Sequence, residues 1–247
     1  MGTPEAGVLA VMPLHTISEV YGEDGLRGRL LGEVAELPGR ERVLAALDLA
    51  AELHRDDRYG REPYLSHLLR VAIRIVSHYE VRDADPVIAG LLHDSVEDHA
   101  PELAALHGDS GDDPRTAALA LLTERFGARV AEIVAAVSNS ERDPADRADV
   151  AERHRRYREH ITASLDRSPW GRVVKLSDFT DNGVGILYAT GPVMPRLARK
   201  YAPLTDVYRE LVRRADTPLA EHVKEHILGQ LDLADERFAA ILADEPS

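Results

Sequence analysis

The chain contains no cysteine in its 247 residues. Disulfides, zinc–thiolate centres and cysteine nucleophiles are therefore excluded together. No apolar run approaches the roughly eighteen residues that a membrane-spanning helix needs. Met1–Ala6 lacks the basic segment and long apolar core of a signal peptide. Gly2 is not followed by Ser or Thr at position 6, so myristoylation is not expected. A cytoplasmic protein without a membrane partner is the expectation. Basic residues are the minority, 30 Lys and Arg against 43 Asp and Glu, giving a net charge of −13. That balance argues against a nucleic-acid polymer as partner, which calls for a basic surface. Any anionic substrate must be drawn in locally, by a metal or a few arginines, which favours a small phosphorylated molecule.

Strand signals and internal repeats are also lacking, and no linker is long enough to separate domains. What is present is helical spacing, with 44% hydrophobic residues, ordinary for a globular protein with a real core. Val8–Met12 is a short apolar patch, and Leu26–Leu37 has helical spacing closed by Pro38-Gly39. This N-terminal part reads as a packed appendage rather than a partner-binding arm. From Glu41, residues Val43, Leu44, Leu47, Ala50, Ala51 and His54 recur at three- and four-residue steps. A polar loop over 55–63 ends that helix, and a second runs from Tyr64 to about Tyr79. Further helices are expected over 117–126, closed by Gly127, and around Val130–Val137. Two more are expected over 194–214, broken at Pro203, and over 219–242. Residues 107–114 read as a loop, and the charged tract 141–158 as solvated helix face or loop. The fold class is all-α.

The informative stretch is Leu91-Leu92-His93-Asp94-Ser95-Val96-Glu97-Asp98. Val87, Ile88, Leu91 and Leu92 lead into it at helical spacing, with Asp85-Pro86 as the expected cap and first helical residue. Glu97 is placed one turn after His93 on the same face. So many ionisable groups at the end of an apolar helix call for pairing or a metal. His67 sits beside the apolar stripe of the second helix, where a single histidine is ordinarily a satisfied core residue. With His93, Asp94 and Asp178, however, it would make a good site for one divalent ion with open positions for water and substrate. His54, His78, His99 and His107 fit no ligand spacing and read as packing or surface groups.

The order of these four groups resembles the HD-domain phosphohydrolases. The likeness sharpens toward the Rel/SpoT-type alarmone hydrolases. Gly60-Arg61-Glu62-Pro63-Tyr64-Leu65-Ser66-His67 resembles that family's Gly-Glu-Pro-Tyr-x-x-His, and Leu91–Asp98 its Leu-Leu-His-Asp-x-Val-Glu-Asp. Phe126–Val130 resembles Phe-Gly-x-x-Val, Lys175–Asp178 resembles Lys-Leu-Ala-Asp, and Tyr201–Leu204 matches Tyr-Ala-Pro-Leu. The resemblance runs from about Glu41 to Leu204. It implies a single HD-domain helical bundle over 40–215, with an N-terminal extension over 1–39 and a packed C-terminal helix over 216–247.

It also implies a manganese-dependent hydrolase that removes 3′-pyrophosphate from guanosine tetra- or pentaphosphate. His67, His93, Asp94 and Asp178 would hold the metal. Glu97 and Asp98 would position and deprotonate water. Asn182 would hold the nucleotide sugar, and Arg58 would lie against the base. Lys175 faces either the structure or the phosphate. The chain departs from the family at Phe179-Thr180-Asp181, at the missing Gln after His54, and in longer segments after Asp98 and before Asp178. Those departures bear on the substrate. An HD phosphohydrolase acting on another phosphate ester is one alternative, and a non-catalytic nucleotide-binding module is the other. Oligomeric state is left open.

Overall fold

The computed structural model describes residues 6–108, 113–139, 150–188 and 193–244. Part of the loop expected over 107–114 and the first half of the charged tract 141–158 thus lie outside the described residues. The fold is all-α: the strands among the described residues are the two-residue pair Arg58–Tyr59 and Glu62–Pro63, joined antiparallel. Two compact units are present, residues 1–135 and 136–247. Among the described residues no helix is long and apolar enough to cross a membrane.

The first unit is built on α1 (Ala6–Val11), α2 (Leu14–Glu33), α3 (Arg40–Leu53), α4 (Tyr64–Ile73), α5 (Ala84–Leu92), the single turn α6 (Ser95–Asp98), α7 (Ala100–His107) and α8 (Pro114–Phe126). The boundary to the second unit falls inside α9 (Ala128–Val137). In α4 every residue from Leu65 to Ile73 is buried, and in α5 every residue but Asp85. Helices apolar all round belong at the centre of a core, and these two pack on one another. Gly90 permits the approach: a Cβ there would lie 2.8 Å from Ile75 Cδ1 and 3.5 Å from Val71 Cγ1. After Ile73 the helix widens into a π turn (Arg74–His78), and the chain reverses through Glu80 at φ 56°.

The cap of α5 lies two residues before the expected Asp85. Asp83 is extended, so its carboxylate can accept from the Asp85 N–H at 3.0 Å. Asp85 sits inside the first turn and instead faces Arg42 at 2.8 Å and Arg129 at 3.1 Å. Arg42 also donates to the Phe126 carbonyl, so α3, α5 and the α8–α9 turn are tied at one corner.

The N-terminal stretch is packed, and α2 consists of two helical segments joined by a kink at Gly22 (φ 64°, ψ −156°). Leu14, Ile17, Leu26 and Leu30 of α2 are buried, and α2 packs on α4. Buried Arg29 of α2 donates to the Leu9 carbonyl, to Glu33 at 2.7 Å and to Ser77 Oγ at 2.9 Å.

The second unit holds α10 (Val150–Asp166), α11 (Pro169–Gly183), α12 (Val193–Tyr201), α13 (Thr205–Arg213) and α14 (Glu221–Ala243). Ala202-Pro203-Leu204 forms a 3₁₀ turn between α12 and α13, the break expected from Pro203. Arg172 is fully buried and fills all its donors: Leu165 and Asp166 carbonyls at 2.8 and 3.2 Å, both Asp216 oxygens at 2.8 and 2.7 Å, and Thr217 Oγ1 at 2.9 Å. Phe179, Tyr201, Tyr208 and Phe238 form the aromatic part of the core.

The closeness of α4 and α5 generates a stability prediction. Gly90→Val forces branched methyls against Val71, Ile75 and the Ala72 backbone. Equilibrium denaturation should show a loss of about 1–3 kcal/mol, whereas Ala, needing only the tip of Ile75 to shift, should cost less.

Candidate metal centre

His67 lies one turn into α4, where both its neighbours and its own ring are buried. His93 ends α5, equally buried. The helix does not continue past it. The chain turns at His93-Asp94 and restarts as α6, so Glu97 does not extend the His93 face as the spacing suggested. Asp94 heads α6, and its carbonyl accepts from Glu97 N and Asp98 N at 3.1 and 2.9 Å. This turn carries both carboxylates to an exposed position beside a half-buried Asp94.

The ligand atoms of His67, His93 and Asp94 all lie within 4.8 Å of one another. His93 Nε2 is 3.0 Å and His67 Nε2 3.9 Å from Asp94 Oδ2. His93 Nδ1 faces the Gly90 carbonyl at 2.9 Å. A carbonyl only accepts, so Nδ1 carries the proton and Nε2 presents its lone pair to the group. This is the arrangement a metal-ligating histidine needs. The donor set fits a divalent ion, and His67, His93 and Asp94 are the residues that would hold it.

Aromatic rings fix the orientation. Tyr59 stacks on His67 at 4.5 Å and 7°, Tyr64 meets the same ring edge-on at 5.8 Å, and Tyr64 Oη donates to Asp94 Oδ2 at 2.7 Å. The hairpin that carries Tyr59 is anchored by Glu62, which accepts from Ser18 Oγ at 2.8 Å and Arg70 Nη1 at 2.6 Å. These are functional supports that a search for ligands alone passes over. The signal was available in part, since Tyr64 and His67 stand three apart at the start of a helix and must share a face.

The remaining expected residues are placed as follows. Arg58 is exposed on the hairpin next to Tyr59, and its guanidinium donates to the Arg61 carbonyl. Asp178, Lys175 and Asn182 are brought together on α11 in the second unit. Lys175 Nζ lies 2.7 Å from Asp178 Oδ2, and Asn182 Nδ2 donates to Asp178 Oδ1 at 2.5 Å and to its carbonyl at 3.1 Å. Phe179, in the stretch that departs from the Rel/SpoT pattern, is a buried core residue.

A second group was not read from the sequence. His54 Nδ1 and His99 Nε2 both face Asp57 Oδ2, at 2.8 and 2.7 Å. His54 is buried and stacks on Tyr64 at 4.7 Å, with His99 edge-on at 4.5 Å. Burial lowers the His54 pKa below its ordinary value, against the pull of Asp57. At Asp57, burial pushes upward, but hydrogen bonds from His99 and His54 outweigh it and leave the carboxyl below its usual range.

Residues 46–165 match the sequence profile of the family described as HD domain. The chain is thus similar to that family over nearly half of its length. The match takes in His67, His93, Asp94, Glu97 and Asp98. Among known proteins, the guanosine-3′,5′-bis(diphosphate) 3′-pyrophosphohydrolase MESH1 of Danio rerio is 34% identical over 140 residues. That alignment covers 55% of this chain and spans 64% of the relative's length. The chain also shares its fold with a solved structure described as a metazoan ortholog of SpoT that hydrolyzes ppGpp and plays a role in starvation responses. The TM-score is 0.53 at 23% identity, covering 78% of this chain and 96% of the other.

Beside the group of His67, His93 and Asp94, Asp98 titrates abnormally: burial first, then the Asp94 and Glu97 charges, raise its pKa from 3.8 to about 6. Below the unfolded value the carboxyl is protonated in both states. Between 3.8 and about 6 the folded chain keeps a proton that the unfolded chain releases, so stability falls as pH rises through that window. Asp98→Asn should flatten this slope in metal-free protein and leave it more stable above pH 6. Because Asp98 is also exposed, water screens the effect, and the gain should be about 1 kcal/mol or less. Denaturation midpoints across pH 3–8 measure it.

Proposed function

We propose that this protein is a metal-dependent phosphohydrolase that removes 3′-pyrophosphate from guanosine 3′,5′-bis(diphosphate) and related alarmones. The observation that carries the reading is the meeting of His67, His93 and Tyr64 on the Asp94 carboxylate, one helical turn from Glu97 and Asp98. The similarity to MESH1 supports the substrate class. The four ligands and one-ion stoichiometry of the reading include Asp178, which enters on sequence resemblance. Mn²⁺ is the ion proposed, since paired imidazole and carboxylate donors suit it.

A divalent ion held there would lower the pKa of water and offset the charge of the phosphate under attack. The chain's own residues supply the rest. Glu97 is proposed to take the proton from the attacking water, since it is an exposed carboxylate on the turn that Asp94 starts. Asp98, with its pKa raised to about 6, can exchange a proton close to neutral pH and is proposed to orient the same water or pass a proton to the leaving group. Tyr64 holds Asp94 in one rotamer through its hydroxyl. Arg58, next to the ring that covers His67, is proposed to lie against the base or a phosphate. Lys175 and Asn182 hold the two oxygens of Asp178, and Asn182 is further proposed to meet the sugar. The cellular setting proposed is cytoplasmic, with a small nucleotide rather than a polymer as partner, in keeping with the net charge of −13.

Purified protein incubated with Mn²⁺ and a nucleotide panel should release pyrophosphate from the 3′ position of guanosine 3′,5′-bis(diphosphate). Phosphate release from simple nucleotides in its place, or tight nucleotide binding without turnover in any divalent ion, would overturn the assignment. Glu97→Gln should retain the metal and lower kcat by about 10²–10⁴-fold. Asp94→Ala should lose the metal itself, measured by elemental analysis. A Glu97→Gln enzyme at full rate would remove Glu97 from the role of base.

A further inference from the structure

We propose that His54, Asp57 and His99 form a second binding site for a divalent transition-metal ion, separate in its ligands from His67, His93 and Asp94. The three donors come from three segments: the end of α3, the loop before the hairpin, and the residue that closes α6. Their ligand atoms lie within 4.8 Å of one another. Two imidazoles and one carboxylate are a set that zinc, iron and manganese all accept, with positions left over for water. Asp57 is partly exposed, so the group is open on one side.

The geometry matches coordination as well as it matches hydrogen bonding. Donors at right angles around an octahedral ion at 2.0–2.1 Å are about 2.9 Å apart. The two imidazole nitrogens stand 2.8 and 2.7 Å from the same Asp57 oxygen. Both rings therefore converge on one point rather than on the two oxygens that a carboxylate offers to two separate donors.

Two neighbours reinforce the assignment. The His54 ring is clamped between the Tyr64 face and the His99 edge, while its Nε2 has no hydrogen-bond partner among the described residues. Its position is set by ring packing and by what lies at Nδ1. Behind His99, Nδ1 has Glu102 Oε1 at 3.6 Å, a nearby carboxylate beyond direct hydrogen-bond distance.

A divalent ion here would join the ends of α3 and α6, the latter being the turn that carries Glu97 and Asp98. The proposal does not depend on which phosphate ester the protein hydrolyses.

Metal-free protein is titrated with Zn²⁺ and, separately, Mn²⁺, and the ions retained after gel filtration are counted by mass spectrometry. The expected result is two Zn²⁺ per chain. Asp57→Asn and His99→Gln should each retain one, as should His93→Ala through loss of the other site, and Asp57→Asn/His93→Ala should retain none. Circular dichroism checks that each variant keeps its helices, and His99→Gln, at a partly exposed position, is the variant least able to disturb folding. One ion in the unaltered protein, or two ions retained in both Asp57→Asn and His99→Gln, would overturn the proposal. A single ion that is lost in His93→Ala and kept in Asp57→Asn would assign all binding to the first group while leaving the hydrolase reading intact.

Discussion

The candidate centre turns on one oxygen. Asp94 Oδ2 accepts from Tyr64 Oη at 2.7 Å and faces His93 Nε2 at 3.0 Å and His67 Nε2 at 3.9 Å. Tyr64 and His67 reach it from the first turn of α4, and His93 from the end of α5. A carboxylate in such surroundings is costly unless its hydrogen-bonding and charge requirements are met locally. The Tyr64 hydroxyl supplies part of this, and the imidazole pair leaves room for a cation to supply more.

Holding that oxygen in place requires a stiff frame, and the frame is apolar. Central helices α4 and α5 are buried on every side, with Gly90 setting how near they come. The same Gly90 lends its carbonyl to His93 Nδ1, so the packing of two helices and the tautomer of a ligand depend on one residue. The polar part of the frame is equally economical. Glu62 fastens the hairpin to α2 and α4 through Ser18 and Arg70, and the hairpin delivers Tyr59 onto His67.

The helical architecture was legible because periodicity reports burial directly: the stripe Leu65, Leu68, Leu69, Ala72, Ile73 is buried as its spacing requires. Pro203 and Gly127 ended helices for local steric reasons that need no tertiary knowledge. Other features depended on contacts distant in sequence. Asp83 rather than Asp85 caps α5, in a corner where Arg129 engages both carboxylates and Arg42 engages Asp85, all from elsewhere in the chain. His54 and His99 carry no ligand spacing, since 42 positions separate Asp57 from His99 and only folding brings them together. The His-Asp and Glu-Asp pairs were visible as a dense cluster. Their separation onto a helix end and a fresh single turn was not.

The electrostatics of the chain explain why metal donors, rather than arginines, are concentrated at this centre. With 43 acidic against 30 basic residues, the protein as a whole repels a polyphosphate. At physiological ionic strength that repulsion is screened beyond roughly 8 Å, so what decides binding is the charge within the last few contacts. Many of the arginines are already engaged with acids or carbonyls: Arg29, Arg70, Arg129, Arg172, Arg209 and Arg214 all answer carboxylates inside the protein. Beside Arg58, local positive charge can be supplied where metal donors gather. Among the described residues these are the imidazole–carboxylate groups at His67, His93, Asp94 and at His54, Asp57, His99, because a divalent ion brings two charges where a side chain brings one.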